Sequence, residues 1–412
     1  MKKFLAIALA LVMLFALAAC GANDEKDTQK ADNGTESQEA NTDAQALKFG
    51  FIYLHDQNST YDRNFMEGAK AACEKLGVEY VEKVPIPEGN ECYEAAIDLV
   101  NQGCNLVFAD SFGHEEFLLK AAEEHPEVQF CHATGTMAHT EKLDNFHNAF
   151  ASIYEGRYLA GIAAGMKLNE MIAAGEFKAE EAKIGYVGAY TYAEVISGYT
   201  SFFLGARSVC ETATMEVQFT GSWYDETAEK NAAETLISRG CKLISQHADS
   251  MGAPTACEDA GVPDVSYNGS TLEACPNTFI VSSRINWEPY FEYLIGCVKE
   301  GKAIDTDWTG TLATGSVVLT DVNEKAAAAG TVEAIAEAKA KLEAGELHVF
   351  DTSTFTVEGK TLESYLADVD TDEAYTPDTE VIKDGYFAES EFRSAPYFDL
   401  AIDGIERLNA MF

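Results

Sequence analysis

Apolar and polar positions along the chain alternate between two periods. Residues 47–54 (Leu-Lys-Phe-Gly-Phe-Ile-Tyr-Leu) form a short, nearly continuous apolar run, the pattern of a strand buried on both faces. Residues 61–76 then carry Phe65, Ala69, Ala72 and Leu76 at helical spacing, with Gly77 as the stop. Further strands are predicted at 79–82, 105–108 and 128–132, with helices at 92–102 and 115–124 between them. The rhythm restarts with an Ala- and Gly-rich helix at 153–168. Strands at 183–187, 215–219 and 243–246 follow, with helices at 195–210, 228–238 and 252–260. A strand at 278–283, a helix at 289–300, a strand or hairpin at 309–319 and an Ala/Glu/Lys helix at 326–344 continue the series. Beyond residue 350 the chain is acidic and rich in turn formers, and only short strands and a final helix are expected.

Strands alternating with helices specify an α/β protein whose parallel sheets are covered by helices on both faces. The order fits two doubly wound lobes joined by strands near 145–151 and 278–283. Residues 47–149 with 285–349 are assigned to the first lobe and 150–284 to the second. Residues 350–412 form an extension without an assigned place. Ligands in open α/β sheets bind outside the carboxyl ends of the strands, so two such lobes would share one cleft.

The start of the chain has a different pattern. Lys2 and Lys3 precede an unbroken apolar run from Phe4 to Ala19, shorter than the ~20 residues a membrane-spanning helix needs. It ends in Leu17-Ala18-Ala19-Cys20-Gly21, the small-residue-then-cysteine order of a bacterial lipobox. Residues 1–19 are therefore expected to be a signal peptide and Cys20 a lipidated residue. Residues 20–46 lack aromatics and are polar and acidic, as expected of a tether on the outer face of a cell membrane.

With 412 residues, 47% of them hydrophobic, the chain has the size of two domains plus an appendage. The net charge of −39 excludes nucleic acid as a partner, since phosphate binding needs a basic surface. The nine cysteines after Cys20 (Cys73, Cys92, Cys104, Cys131, Cys210, Cys241, Cys257, Cys275 and Cys297) lie mostly in apolar stretches. They have no CxxC spacing and are expected to be buried small hydrophobes.

Candidate chemistry gathers at the predicted strand ends. Asn58, Tyr61 and Asp62 follow the first strand, and Asp110, Ser111 and Phe112 follow the third. In the second lobe Tyr192, Trp223 and Asp249 occupy equivalent places, and Trp287 follows the return strand. Flat rings beside carboxylates and amides suit a planar heterocycle, the rings burying its faces and the polar groups addressing its edges. The plain alternative is that these aromatics plug the lobe interface. The eight histidines lack HExxH spacing, and no GxSxG elbow, P-loop or GxGxxG follows the first strand. No catalysis, metal or cofactor is expected.

The lipobox and five segments carry a family resemblance. They are Phe65-Met66-Glu67-Gly68, Phe108-Ala109-Asp110-Ser111-Phe112-Gly113, His132-Ala133-Thr134-Gly135, Tyr154-Glu155-Gly156-Arg157-Tyr158-Leu159-Ala160-Gly161 and Lys183-Ile184-Gly185-Tyr186-Val187-Gly188. Over residues 47–319 the chain resembles the basic membrane protein (Bmp) family of substrate-binding lipoproteins. The resemblance implies a type I periplasmic-binding-protein fold and uptake of a purine nucleobase or nucleoside through ABC permease and ATPase subunits. Tyr61 stands where the family often has a base-stacking Phe, Asp62 replaces the following Asn, and Asn58 replaces an Asp. Phe112 matches an aromatic of the family, and Asp249 lies in a loop that in the family reaches ribose. Ser222-Trp223-Tyr224-Asp225, Gln246-His247-Ala248-Asp249-Ser250 and Trp287 look like the branch associated with adenine. The expectation is a monomeric, lipid-anchored receptor. A sugar or other small polar nutrient, a sensory co-receptor with the same cleft, and an enzyme acting on nucleosides are its rivals.

Overall fold

The computed structural model describes residues 46–369 and 376–412. The signal peptide, Cys20 and all but the last residue of the expected tether lie outside the described residues. Among the described residues no helix is long and apolar enough to cross a membrane.

The first alternation builds β1 (Lys48–Ile52), α1 (Thr60–Leu76), β2 (Glu79–Lys83), α2 (Asn90–Asn101), β3 (Leu106–Ala109), α3 (Glu115–Glu124), β4 (Gln129–Ala133), α4 (Met137–Glu141) and β5 (Phe146–Ala151). The second builds α5 (Ile153–Ala173), β6 (Lys183–Gly188), α6 (Ala193–Val209), β7 (Thr214–Phe219), α7 (Glu226–Ser238), β8 (Leu243–Gln246), α8 (Gly252–Ala260), β9 (Asp264–Tyr267) and β10 (Phe279–Ile285). Then follow α9 (Glu288–Glu300), β11 (Asp307–Gly310), β12 (Val317–Leu319) and α10 (Thr331–Glu343). The remaining residues add two short pairs, β13 (Leu366–Ala367) with β14 (Thr379–Glu380) and β15 (Ile382–Lys383) with β16 (Tyr386–Phe387), and end on β17 (Ile405–Arg407). A strand, not the expected final helix, therefore closes the chain.

Six strands form the first sheet in the order β11-β5-β4-β3-β1-β2, and seven the second in the order β12-β10-β9-β8-β6-β7-β17. Every pair is parallel except β10 with β12. Each sheet reverses its direction of growth once, between β1 and β3 and between β6 and β8, where a doubly wound sheet opens a crevice at its carboxyl edge.

The expected hairpin at 309–319 is two strands in different sheets. β11 lies beside β5 in the first sheet and β12 beside β10 in the second, so this segment is a third crossing between the lobes. The stretch 285–349, expected whole in the first lobe, is thus divided. α9 packs on α1 of the first lobe, while β12 and α10 pack on α5 of the second. The physical reason is local: the loop 311–316 turns on itself through Gly315 at φ 75°, and Ser316 and Val317 donate N–H to Thr311 O at 3.1 Å.

The Ala- and Gly-rich composition of α5 has a packing cause. A Cβ at Gly161 would lie 2.0 Å from Phe202 O on α6, and one at Gly205 would lie 2.0 Å from Tyr158 O. The two helix backbones touch, and only glycine permits that approach. All nine described cysteines are unpaired and buried.

Candidate functional site

At the two switch points the strand-end loops face one another across a pocket with about 340 Å3 of empty space. The loop after β1 contributes Leu54 and His55, the first turn of α1 Tyr61 and Asp62, and the loop after β3 Ser111 and Phe112. Thr134 follows β4. From the second lobe come Glu194 in the first turn of α6, Trp223 after β7, and His247 and Asp249 after β8.

The first-lobe wall is a hydrogen-bonded polar network. Ser59 caps α1, accepting the Asp62 N–H at 3.2 Å while its hydroxyl donates to Asp62 Oδ2 at 2.5 Å. Asp62 Oδ1 accepts the His55 N–H at 2.7 Å, and the His55 imidazole lies 3.4 Å from Asp62 Oδ2. Behind it Asp110 Oδ1 accepts the Leu54 N–H at 3.1 Å, and Asp110 Oδ2 is buried with no hydrogen-bond partner. Burial, then the neighbouring Asp62 carboxyl, push the Asp110 carboxyl well above the usual carboxylate range. The Asp110 carboxyl therefore binds a proton more readily than an exposed carboxylate does. Tyr61 is set on edge to Phe65 and donates its hydroxyl to Asp110 O at 2.8 Å, which fixes its ring in the wall.

The second-lobe wall is aromatic. Tyr190 and Tyr192 stack at 5.2 Å, and Trp223 meets them at 4.9 and 6.1 Å. Trp223 also lies 6.2 Å from the His247 ring, which is 5.0 Å from Tyr267. His247 Nε2 is 3.5 Å from Glu194 Oε1, while its Nδ1 is buried without a partner; burial lowers its pKa. Asn268 donates to Asp249 Oδ1 at 3.1 Å, and burial, then Asp62, raise the Asp249 carboxyl.

The lobes are closed on one another. Thr60 at the start of α1 donates both its N–H (3.1 Å) and its hydroxyl (3.2 Å) to Asp249 O. Asn64 donates to Asn268 Oδ1 at 3.4 Å. Phe112 meets Tyr192 at 5.4 Å on one side of the pocket, and His55 meets Tyr224 at 5.5 Å on the other.

Of the residues expected from sequence, Tyr61, Asp62, Ser111, Phe112, Trp223 and Asp249 line this pocket. Tyr192 stands against Phe112 at its edge, and Asp110 lies directly behind Tyr61 and Leu54. Two expectations are corrected. Trp287 is only 1% exposed and stacks on Phe65 at 4.4 Å inside the first lobe, because α9 folds back onto α1 and carries the ring into the core. Asn58 is exposed and lines a separate open groove with Gln57, Arg63 and Tyr224, because the Ser59 cap turns the chain away from the pocket there.

Sequence reasoning missed His55, Thr134, Glu194 and His247. Thr134 sits at φ 67°, an uncommon backbone for a β-branched residue of the kind found at binding sites. Position alone was the available signal: Thr134 directly follows a strand, and Glu194 opens a helix where the dipole favours a carboxylate. Among the described residues no group of His, Cys, Asp and Glu is arranged to hold a metal ion.

Residues 53–349 match the family described as ABC transporter substrate-binding protein, PnrA-like (Bmp). The chain is 32% identical over 250 residues to a purine-binding protein of Brucella abortus, covering 60% of this chain and 67% of that one. It is 30% identical over 263 residues to a putative ABC transporter glucose-binding protein of Haloferax volcanii, covering 63% of this chain and 61% of that one. A solved ABC transporter solute-binding protein from Aeropyrum pernix superposes with a TM-score of 0.62 at 19% identity, covering 77% of this chain and 94% of that one. At that identity the likeness establishes the fold, the type I periplasmic-binding arrangement of two sheets about a cleft.

Proposed function

The chain belongs to the PnrA-like (Bmp) family of ABC transporter substrate-binding proteins, which work outside the cytoplasm, and from that premise we propose that it captures a neutral purine between its lobes. The preferred ligand is a free base of adenine type ahead of its nucleoside, and the protein delivers it to ABC permease and ATPase subunits. Lipid on Cys20 holds it at the extracytoplasmic face of the cell membrane.

The observation that carries this reading is the division of labour around one pocket. Tyr61 and Trp223 line it with aromatic rings from opposite lobes, and Asp62, His247 and Asp249 add polar groups. Closing the lobes completes both sets of contacts, so a ligand filling the pocket shifts the population to the closed form. The lining residues include Asp62, Glu194 and Asp249 but no Lys or Arg, which disfavours a nucleotide phosphate.

Calorimetry on the purified chain with adenine, adenosine, AMP and glucose tests the reading. Adenine should bind most tightly, adenosine more weakly, and AMP and glucose not measurably. Binding of glucose with no response to either purine would replace it with a sugar receptor, the specificity named for the Haloferax volcanii relative.

A further inference from the structure

Residues 350–412 lie beyond the family match, yet side chains from their described parts, 350–369 and 376–412, are built into the same core. Phe398 stacks on Phe350 at 4.3 Å and meets Phe387 at 4.8 Å, and Tyr154 of α5 donates its hydroxyl to Glu389 O at 3.0 Å. The Ser394 N–H donates to Asp307 Oδ2 at 2.6 Å, on β11 of the first sheet. The chain then joins the second sheet, where β17 lies parallel to β7. It continues past β17 toward the carboxyl end of β7, the edge that faces the pocket.

There it grips two loops. The Leu408 N–H donates to Val217 O at 2.9 Å. The Asn409 side chain clasps Phe219 twice: its Oδ1 accepts the N–H at 2.8 Å and its Nδ2 donates to the carbonyl at 2.9 Å. Met411 pairs with Thr191, its carbonyl accepting the Thr191 N–H at 2.8 Å and its own N–H donating to Thr191 Oγ1 at 2.9 Å. Phe219 is the last residue of β7, from which the loop carrying Trp223 departs, and Thr191 lies between Tyr190 and Tyr192.

We propose that Asn409 and Met411 are positioning residues for the aromatic wall of the cleft. This rests on the proposed purine site but adds a role for a segment outside the family match. Loops carrying large rings would otherwise be ordered only when ligand binds, and that ordering would weaken binding. The clasp holds the three rings in place beforehand. Neither Asn409 nor Met411 lines the pocket, so their influence passes through Thr191 and Phe219.

The test uses the full chain with Trp308→Phe as parent. This leaves Trp223 as the only accessible indole, since Trp287 is 1% exposed and the sequence has three tryptophans. Asn409→Ala removes the Phe219 clasp, Thr191→Val removes the acceptor for Met411, and Thr191→Ser restores it. Expected are an adenine affinity lowered about 5–10-fold in the first two variants, greater acrylamide quenching of Trp223 without ligand, and recovery of both in Thr191→Ser. Parent-like affinity and quenching in Asn409→Ala and Thr191→Val would overturn the proposal, as would Thr191→Ser behaving like Thr191→Val. If Asn409→Ala does not fold, the Thr191 pair carries the test. If the parent fails to bind adenine while quenching still follows the clasp, the purine reading falls and the clasp stands.

Discussion

The two walls of the cleft use their aromatic residues in opposite ways. The first lobe keeps most of its rings inside: Phe65 on Trp287 at 4.4 Å, Phe108 on Phe291 at 5.0 Å, Phe51 on Phe291 at 5.2 Å. What it shows the pocket is mainly a network of carboxyl, imidazole and hydroxyl groups tied to backbone N–H. The second lobe brings Tyr190, Tyr192 and Trp223 out beyond the strand ends, where loops alone carry them. Polar groups must be aimed to discriminate, and backbone hydrogen bonds aim them well. Rings supply area and tolerate looser placement, so they can stand on loops if something else braces those loops.

Exchanging the roles of two tryptophans should separate the walls most sharply. Trp287→Ala is expected to cost about 3–5 kcal/mol of unfolding free energy, as a large ring lost from a closed core does. Urea denaturation measures it, and a loss below 1 kcal/mol would show that Trp287 is not core. Trp223→Ala should leave stability nearly unchanged while weakening adenine binding by about 1–3 kcal/mol, the usual worth of stacking a base on a ring. Calorimetry reporting unaltered affinity would remove the second lobe from the site.

A smaller effect concerns the carboxyl pair. The folded-state pKa of Asp110 is raised above that of the unfolded chain, so its contribution to stability is fully present below about pH 4 and is lost as pH rises through the folded value. Asp110→Asn keeps the acceptor for Leu54 and replaces the titrating carboxyl with a neutral amide. Its melting temperature should therefore exceed the wild type's by a margin that opens as pH rises above about 4. A margin constant across pH would mean that the Asp110 carboxyl is not raised in the folded state. Smallest of all, Asn58→Ala should change adenine affinity less than about twofold, within the roughly ±0.5 kcal/mol of an ordinary surface substitution. A larger loss would return the loop after β1 to the pocket wall.

Much of this was legible beforehand because parallel α/β units write themselves locally. The buried strand at 183–188, the helix at 115–124 and the stop at Gly77 each follow from residues within one turn or one strand. Strand ends in such a fold must face the cleft, so Tyr61, Asp62, Ser111, Phe112, Trp223 and Asp249 could be named from position alone. Trp287 satisfied the same positional rule and still went into the core, since the packing of α9 against α1 is a contact between residues more than two hundred positions apart. His247 and Glu194 take their meaning from standing 3.5 Å apart, one on the loop after β8 and the other in the first turn of α6.

The sequence by itself determined the alternation of elements, the two-lobed class and the general location of the site, because each depends on short-range periodicity and on the handedness of strand–helix units. Tertiary structure alone decided which rings line the pocket, that Asp110 is buried behind it, and that 309–319 divides between sheets. It also decided that residues 405–411 brace the far wall. Those outcomes are set by burial and by contacts between distant segments, and neither has a local signature in the chain.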